Sequence, residues 1–432
     1  MKIISKVISV SLALLFASSV ILTGCGSKND ADKGATSAQA QTSTKASEPK
    51  QAKGDITVWM WENAKAALDI LADDFKKAYP NINVKYETIP NEDLYKKFIL
   101  AVQAGEGAPD VFAVESRNMP QMIKTQGLVD VTSKIGDDIK KFNKHKVGLA
   151  SAKDGKIYAT PWDSGPVALY YNRKLFKQAG FPDTPEEVAK LLNTWDDYYK
   201  TVKQIKEKAG AFATITPKTK CDPAPFQIML NQKSEKENVW FFDKEGNVKM
   251  DSPQAVRVVS FLTKMYDEGL LYDAPNYSQP WTDAIKNDKV ATFINAAWFT
   301  ASLKKAYGDT RNDSWGVVPL PVWDQGDSRT AESGGSNLAI TKQSKNVDAA
   351  WAYVKFHLMD DASQLKQYKF GFFPAWEPAY GNPEVLKADP FFGGQKERQV
   401  FEEAAKVVPM VNYTEDYPRA RLAAISALEL CY

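Results

Sequence analysis

The stretch from Asp154 to Phe181, DGKIYATPWDSGPVALYYNRKLFKQAGF, changes character several times within one short run. Asp154-Gly155 is a tight-turn pair, and Lys156-Ile157-Tyr158-Ala159-Thr160 after it predicts a short strand. Pro161 and Pro166 then bracket Trp162-Asp163-Ser164-Gly165. A ladder cannot continue regularly through two prolines, and Gly165 permits dihedrals closed to other residues. Val167 to Tyr171 resumes as an apolar, β-prone run, and Asn172-Arg173-Lys174-Leu175-Phe176 opens a helix. Strand, interrupted polar-aromatic segment, strand is the pattern of a chain that passes from one domain into another. A length of 432 residues independently predicts two domains.

The first of them begins at Asp55. Ile56, Val58 and Met60 alternate with Thr57, Trp59 and Trp61, so both faces are largely apolar, as in a strand covered on both sides. Leu68, Leu71, Phe75 and Ala78 recur at helical spacing up to Pro80. Ile82, Val84 and Tyr86 predict a second strand. Leu94, Phe98 and Val102 predict a second helix, closed by Gly105 and Gly107, and Pro109 to Val114 a third strand. This βαβαβ order implies a parallel sheet with right-handed crossovers. Ligands of such sheets sit beyond the carboxyl ends of the strands. Trp61 and Glu62 follow the first strand, and Glu115 and Arg117 the third, which makes these four candidates for a cleft.

Residues 1–24 read as a targeting segment. Lys2 and Lys6 precede a mostly apolar run from Val7 to Leu22 that is too short and too interrupted by serines for a comfortable membrane span. Gly26 to Gly54 has no aromatic residue and no Val, Ile, Leu or Met. It cannot bury enough surface to fold, and residues 25–54 are expected to be a disordered tether of roughly 30 Å mean span. With Lys2 and Lys6 removed, the remaining basic residues equal the 53 acidic ones. That balance favours neither nucleic acid nor an anionic surface as partner. After Cys25 only Cys221 and Cys431 remain, and the only histidines are His145 and His357. Disulfide frameworks, zinc sites and histidine-based catalysis have little to work with, and no metal or other cofactor is expected.

Several separated blocks carry a resemblance. Asp154-Gly155-Lys156, Tyr158 and Pro161 followed by Tyr170-Tyr171-Asn172 and Leu175-Phe176 resemble the crossing between lobes in the extracellular solute-binding proteins of ATP-binding-cassette importers. The likeness is to the sugar-binding family that includes maltose-binding protein. Thr194-Trp195, Asn295 with Trp298, Trp315 to Pro321, Gly334-Gly335 to Ile340, and Gly371 to Trp376 match further family segments, from about Asp55 to the C-terminus. Leu22-Thr23-Gly24-Cys25 resembles the lipobox of bacterial lipoproteins. The resemblance implies an α/β, two-lobe periplasmic-binding-protein-like class II fold, its lobes joined by a three-strand hinge. It places residues 55–163 and 327–371 in lobe 1, and 164–326 and 372–432 in lobe 2. Family members continue for another short helical segment beyond the last helix, about Pro418 to Leu430.

The function implied is a non-catalytic, monomeric lipoprotein. It would be anchored through Cys25 to the outer face of the bacterial cytoplasmic membrane, and would pass a carbohydrate to transmembrane permease subunits. The expected cleft collects Trp61, Glu62, Glu115, Arg117, Trp162, Asp163, Asn295, Trp298, Gly335, Ser336, Phe373 and Trp376. Flat aromatics suit the apolar C–H faces of a sugar, and carboxylates and a guanidinium suit its directional hydroxyls. Two adjacent glycines before a strand let a ligand approach the backbone closely. A binder of peptides or polyamines is the alternative of the same class. A secreted carbohydrate-active enzyme is the alternative of a different one, because Glu62, Glu115 and Asp163 are carboxylates near one cleft.

Overall fold

The computed structural model describes residues 51–431. The targeting segment, Cys25 and all but the end of the expected tether lie outside the described residues.

Among the described residues ten strands form three sheets. β1 (Gly54–Met60), β2 (Ile82–Thr88), β3 (Val111–Glu115), β4 (Thr160–Pro161) and β10 (Ser336–Ile340) make a five-stranded sheet in the order β2-β1-β3-β10-β4. β1 runs parallel to β2 and β3, and β10 runs antiparallel to β3 and β4. The second sheet is antiparallel, with β5 (Val167–Asn172) between β8 (Thr292–Ala296) and β9 (Trp315–Val318). β6 (Thr214–Ile215) and β7 (Leu271–Tyr272) form a short parallel pair.

Side-chain alternation decides where each core lies. Ile56, Val58 and Met60 enter one apolar cluster on the first sheet, while Trp59 enters a separate one with Leu94, Phe98 and Phe112. On the second sheet Val167, Leu169 and Tyr171 face one cluster, and Ala168 and Tyr170 another. Both central strands are therefore covered on both faces, and each sheet carries its own helical layers. This is the two-lobe α/β architecture.

The helices follow their sequence signals closely where caps are present. Thr194 caps the helix Trp195–Ala209 in a reciprocal capping box with Asp197, and Gly210 ends it at φ +67°. Gly105 ends Asn91–Ala104 in the same way at φ +77°. Four local expectations differ. The helix expected from Leu68 to Ala78 breaks at Ile70-Leu71 into Glu62–Asp69 and Ala72–Ala78. Val256, Val259, Phe261, Leu262, Met265 and Tyr266 predict an apolar helix stripe, but helix Pro253–Asp267 buries Ala255 and Val258 with Leu262 and Met265, and leaves Val256 57 % exposed. The strand expected from Lys156 to Thr160 shrinks to Thr160–Pro161, at the sheet edge, where a proline costs no ladder hydrogen bond. Trp315 to Pro321 resembles the family's second strand between lobes, but its strand β9 stays within the second sheet, pairing Leu169 with Val318.

Three segments do run side by side between the two sheets. Residues 162–166 are central. On one side Ser333 N donates to Gly165 O (2.9 Å), and Trp162 N donates to Ser336 O (2.9 Å). On the other, Ser164 N donates to Phe373 O (2.9 Å) and Ala375 N to Trp162 O (3.0 Å).

Candidate functional site

A cavity of about 230 Å³ opens between the carboxyl end of β3 and the second sheet. Glu115 and Arg117 wall it from the first lobe. Asn295, at the end of β8, and Trp298, just past it, wall it from the second. Their placement follows from strand termination: Glu115 and Asn295 are among the last paired residues of their ladders, and Arg117 and Trp298 lie just past them.

Arg117 pairs with Glu115 (Nη2 to Oε2, 2.6 Å) and donates to Glu92 Oε1 (3.2 Å). Burial works most strongly against its charge, but Glu115, Tyr417, Tyr95 and Glu92 together outweigh it and hold the guanidinium pKa above its ordinary value. Glu115 is itself anchored through its backbone N–H, which donates to Tyr95 Oη at 3.0 Å. Trp298 is half-buried. Its Nε1–H donates to Ser333 O (3.0 Å), which fixes the indole while a face remains on the cavity. Asn295 folds back so that Oδ1 accepts from Ala296 N (2.8 Å).

The other expected residues are distributed differently. Trp61 stands just before the helix Glu62–Asp69 and packs against first-lobe clusters, and Glu62 is exposed; neither borders this cavity. Trp162 is 1 % exposed, stacks on Phe372 at 5.2 Å between ring centroids, and donates from Nε1 to Gln367 Oε1 (2.5 Å). Trp376 is buried and donates to Asp361 Oδ1 (2.6 Å), and Phe373 is buried against Tyr368 and Tyr380. Trp162 and Trp376 join the first-lobe core and Phe373 a second-lobe one, so none of the three faces the cavity. Asp163, Gly335 and Ser336 lie in the layer of crossing strands, not on the cavity wall. Burial pushes the Asp163 carboxyl up to about 6, against the pull of the Lys146 ammonium.

The cavity also contains residues that sequence pattern did not single out. Tyr277 stands 58 % exposed at φ +63°, a strained backbone for a bulky residue, with its ring 5.1 Å from Trp281. Asn276 Nδ2 donates to Asp222 Oδ2 (2.8 Å), and Gln227 Nε2 to Tyr417 Oη (2.7 Å). Tyr413, Arg421 and Glu332 also line it. An aromatic in the polar loop Asp273 to Ser278 was the one available signal for Tyr277. The others come from helices and loops far apart in the chain. A separate cavity of about 840 Å³, bordered by Val167, Arg173, Arg329 and Val400, has no aromatic side chain in its wall.

Residues 60–363 match the family model described as bacterial extracellular solute-binding protein. The chain is a bacterial extracellular solute-binding protein. Among relatives of this solute-binding protein, the arabinooligosaccharide-binding protein of Halalkalibacterium halodurans is 24 % identical over 379 residues, 85 % of this chain and 82 % of the relative. The lactose-binding protein of Rhizobium radiobacter is also 24 % identical, over 83 % of this chain and 84 % of its own. Two solved structures show the same fold. The transporter-associated binding protein of B. animalis subsp. lactis Bl-04, in complex with β-1,6-galactobiose, has a TM-score of 0.69 at 24 % identity, covering 88 % of this chain and 96 % of that one. The GacH receptor of Streptomyces glaucescens has a TM-score of 0.71 at 23 % identity, covering 88 % and 95 %. The family is one of binding proteins rather than enzymes, and its location is extracytoplasmic.

Proposed function

We propose that this solute-binding protein captures an oligosaccharide in the cavity between its lobes and delivers it to the permease of an ATP-binding-cassette importer, without catalysis of its own. The observation that carries this reading is the presence of two chemistries in the wall of one cavity. Trp298 and Tyr277 offer flat apolar faces, while Glu115, Arg117, Asn276 and Asn295 offer directional donors and acceptors. A sugar presents both complements, whereas a polyamine needs only acidic groups and an amino acid a dominant cation. Relatives named for arabinooligosaccharides and lactose support the same class.

A thermal-shift screen tests it, using arabinotriose, lactose, β-1,6-galactobiose, spermidine and a tripeptide. A bound sugar at a hundred times its dissociation constant stabilises by about 2.7 kcal/mol. A shift with spermidine or the tripeptide, and none with any sugar, would replace this reading. The same proposal holds the monomer at the outer face of the cytoplasmic membrane by a lipid on Cys25. Cys25→Ala should release the protein from membranes and leave binding unchanged, and full membrane retention of that variant sinks the anchor.

A further inference from the structure

The layer of crossing strands encloses a buried charge pair that composition and motif did not indicate. Lys146, on the first-lobe helix Lys144–Ala150, is fully buried. Its Nζ donates to Ser116 Oγ (2.5 Å) and to Glu332 Oε1 (3.2 Å). Glu332 is 4 % exposed and its two ends belong to different bodies. Its backbone N–H donates to Asn231 Oδ1 (2.8 Å), on the second-lobe helix Ala224–Asn231, and its neighbour Ala331 O accepts from Val167 N at the start of β5 (3.0 Å). Its carboxylate reaches the other way. It accepts from Lys146, from Gly165 N (3.0 Å) and from Ser164 Oγ (3.3 Å) on the central crossing segment.

Glu332 also belongs to the wall of the cavity, together with Ser333 and Gly334. The same residue therefore borders the ligand space, docks on the second lobe, and neutralises a first-lobe cation. Gly335 shows how tightly the group is built. At φ +81° a Cβ there would collide with Lys146 Nζ and lie 2.9 Å from both Asp163 O and Glu332 Oε1. The glycine leaves room for the ion pair. His145 Nε2, 4.0 Å from Glu332 Oε2, is no competing cation, because burial lowers its pKa to about 4.

We infer that Lys146 and Glu332 are positioning residues that set the angle between the lobes and couple it to occupancy of the cavity. A ligand that touches Glu332 acts directly on the group that ties the crossing strands together. The coupling arm rests on the cavity being the ligand site, as proposed above; the lobe-angle arm does not.

Three variants test it: Glu332→Gln, Lys146→Met, and the double variant Lys146→Met/Glu332→Gln. Each single change leaves one buried charge without its counter-ion, so both should lower the midpoint of unfolding. The double change removes both charges and should regain most of that midpoint. Small-angle scattering without any sugar is the deciding readout. All three variants should show a radius of gyration different from the unaltered protein's, the double variant included. Arabinotriose binding, measured by calorimetry, should weaken roughly tenfold in the double variant, the scale of a typical coupling between sites. A purely structural pair predicts that the double variant regains the original scattering profile along with its stability, and that result overturns the inference. If arabinotriose fails to bind even the unaltered protein, the functional reading falls, while the ligand-free profiles still decide whether the pair sets the lobe angle.

Discussion

Trp298 and Asp163 are both expected in the cleft, one to stack and the other to accept from hydroxyls, and their surroundings separate them. Trp298 is half-buried, bordered by two core clusters and fixed by Ser333 O, with a face on the cavity. Trp298→Ala should weaken arabinotriose binding by about 1–3 kcal/mol, taking stacking on a base as the analogue. It should also lower ligand-free stability by about 1–2 kcal/mol, less than the ~3–5 kcal/mol of a fully buried tryptophan. Calorimetry and denaturant unfolding on one variant separate the two effects, and unaltered affinity removes this residue from the site. Asp163 is 6 % exposed and its Oδ1 has no hydrogen-bond partner among the described residues. Its folded pKa of about 6 exceeds the ordinary 3.8, so the native state holds a proton that the unfolded chain has lost between those values. That contribution is present in full below about pH 4 and is lost as pH rises through about 6. The neutral variant Asp163→Asn lacks the loss. Its stability relative to the unaltered protein should therefore rise by about 2–3 kcal/mol between pH 4 and 7, measured by urea unfolding. A pH-independent difference contradicts a raised carboxyl.

At the scale of elements, the crossing strands are held by close backbone approach. A Cβ on Gly165 would fall inside the Ser333 carbonyl group, which belongs to the adjacent crossing segment. Gly165→Ala should cost about 1–3 kcal/mol by overpacking, since backbone gives way less easily than a side chain. Thermal unfolding without ligand checks it, and a midpoint equal to the original shows that the strands separate freely. Most elements were legible because their signals are local. The box of Thr194 with Asp197 needs only four residues, and the alternation of Val167 to Tyr171 needs only neighbours. The errors arise where the outcome depends on distant partners. Whether Trp315 to Val318 crosses or stays in the second sheet was settled by its pairing with β5, more than a hundred residues earlier.

For the whole molecule, two separately packed lobes joined by hydrogen-bonded crossing strands suit closure about a hinge. The salt link of Lys124 with Glu415 (2.7 Å) connects helix Met119–Lys124 beside the first sheet to the segment before the last helix, Tyr417–Cys431. Saturating arabinotriose should lower the radius of gyration in small-angle scattering. Superimposable profiles with and without bound sugar count against closure.

The sequence by itself determined the two α/β bodies, the parallel start of the first sheet, the passage of the chain at residues 162–166, and two pairs of cavity residues: Glu115 with Arg117, and Asn295 with Trp298. These rest on periodicity, a cap, a strand end or a match to a family segment, which are properties of short range along the chain. Only the tertiary structure decided which tryptophans stay in the cores, because a ring's exposure depends on what packs over it. It also brought Tyr277, Gln227, Tyr413 and Arg421 to the cavity and buried Lys146 against Glu332. Those residues are scattered along the chain from Lys146 to Arg421, and no local pattern records an encounter that exists only after both lobes have packed.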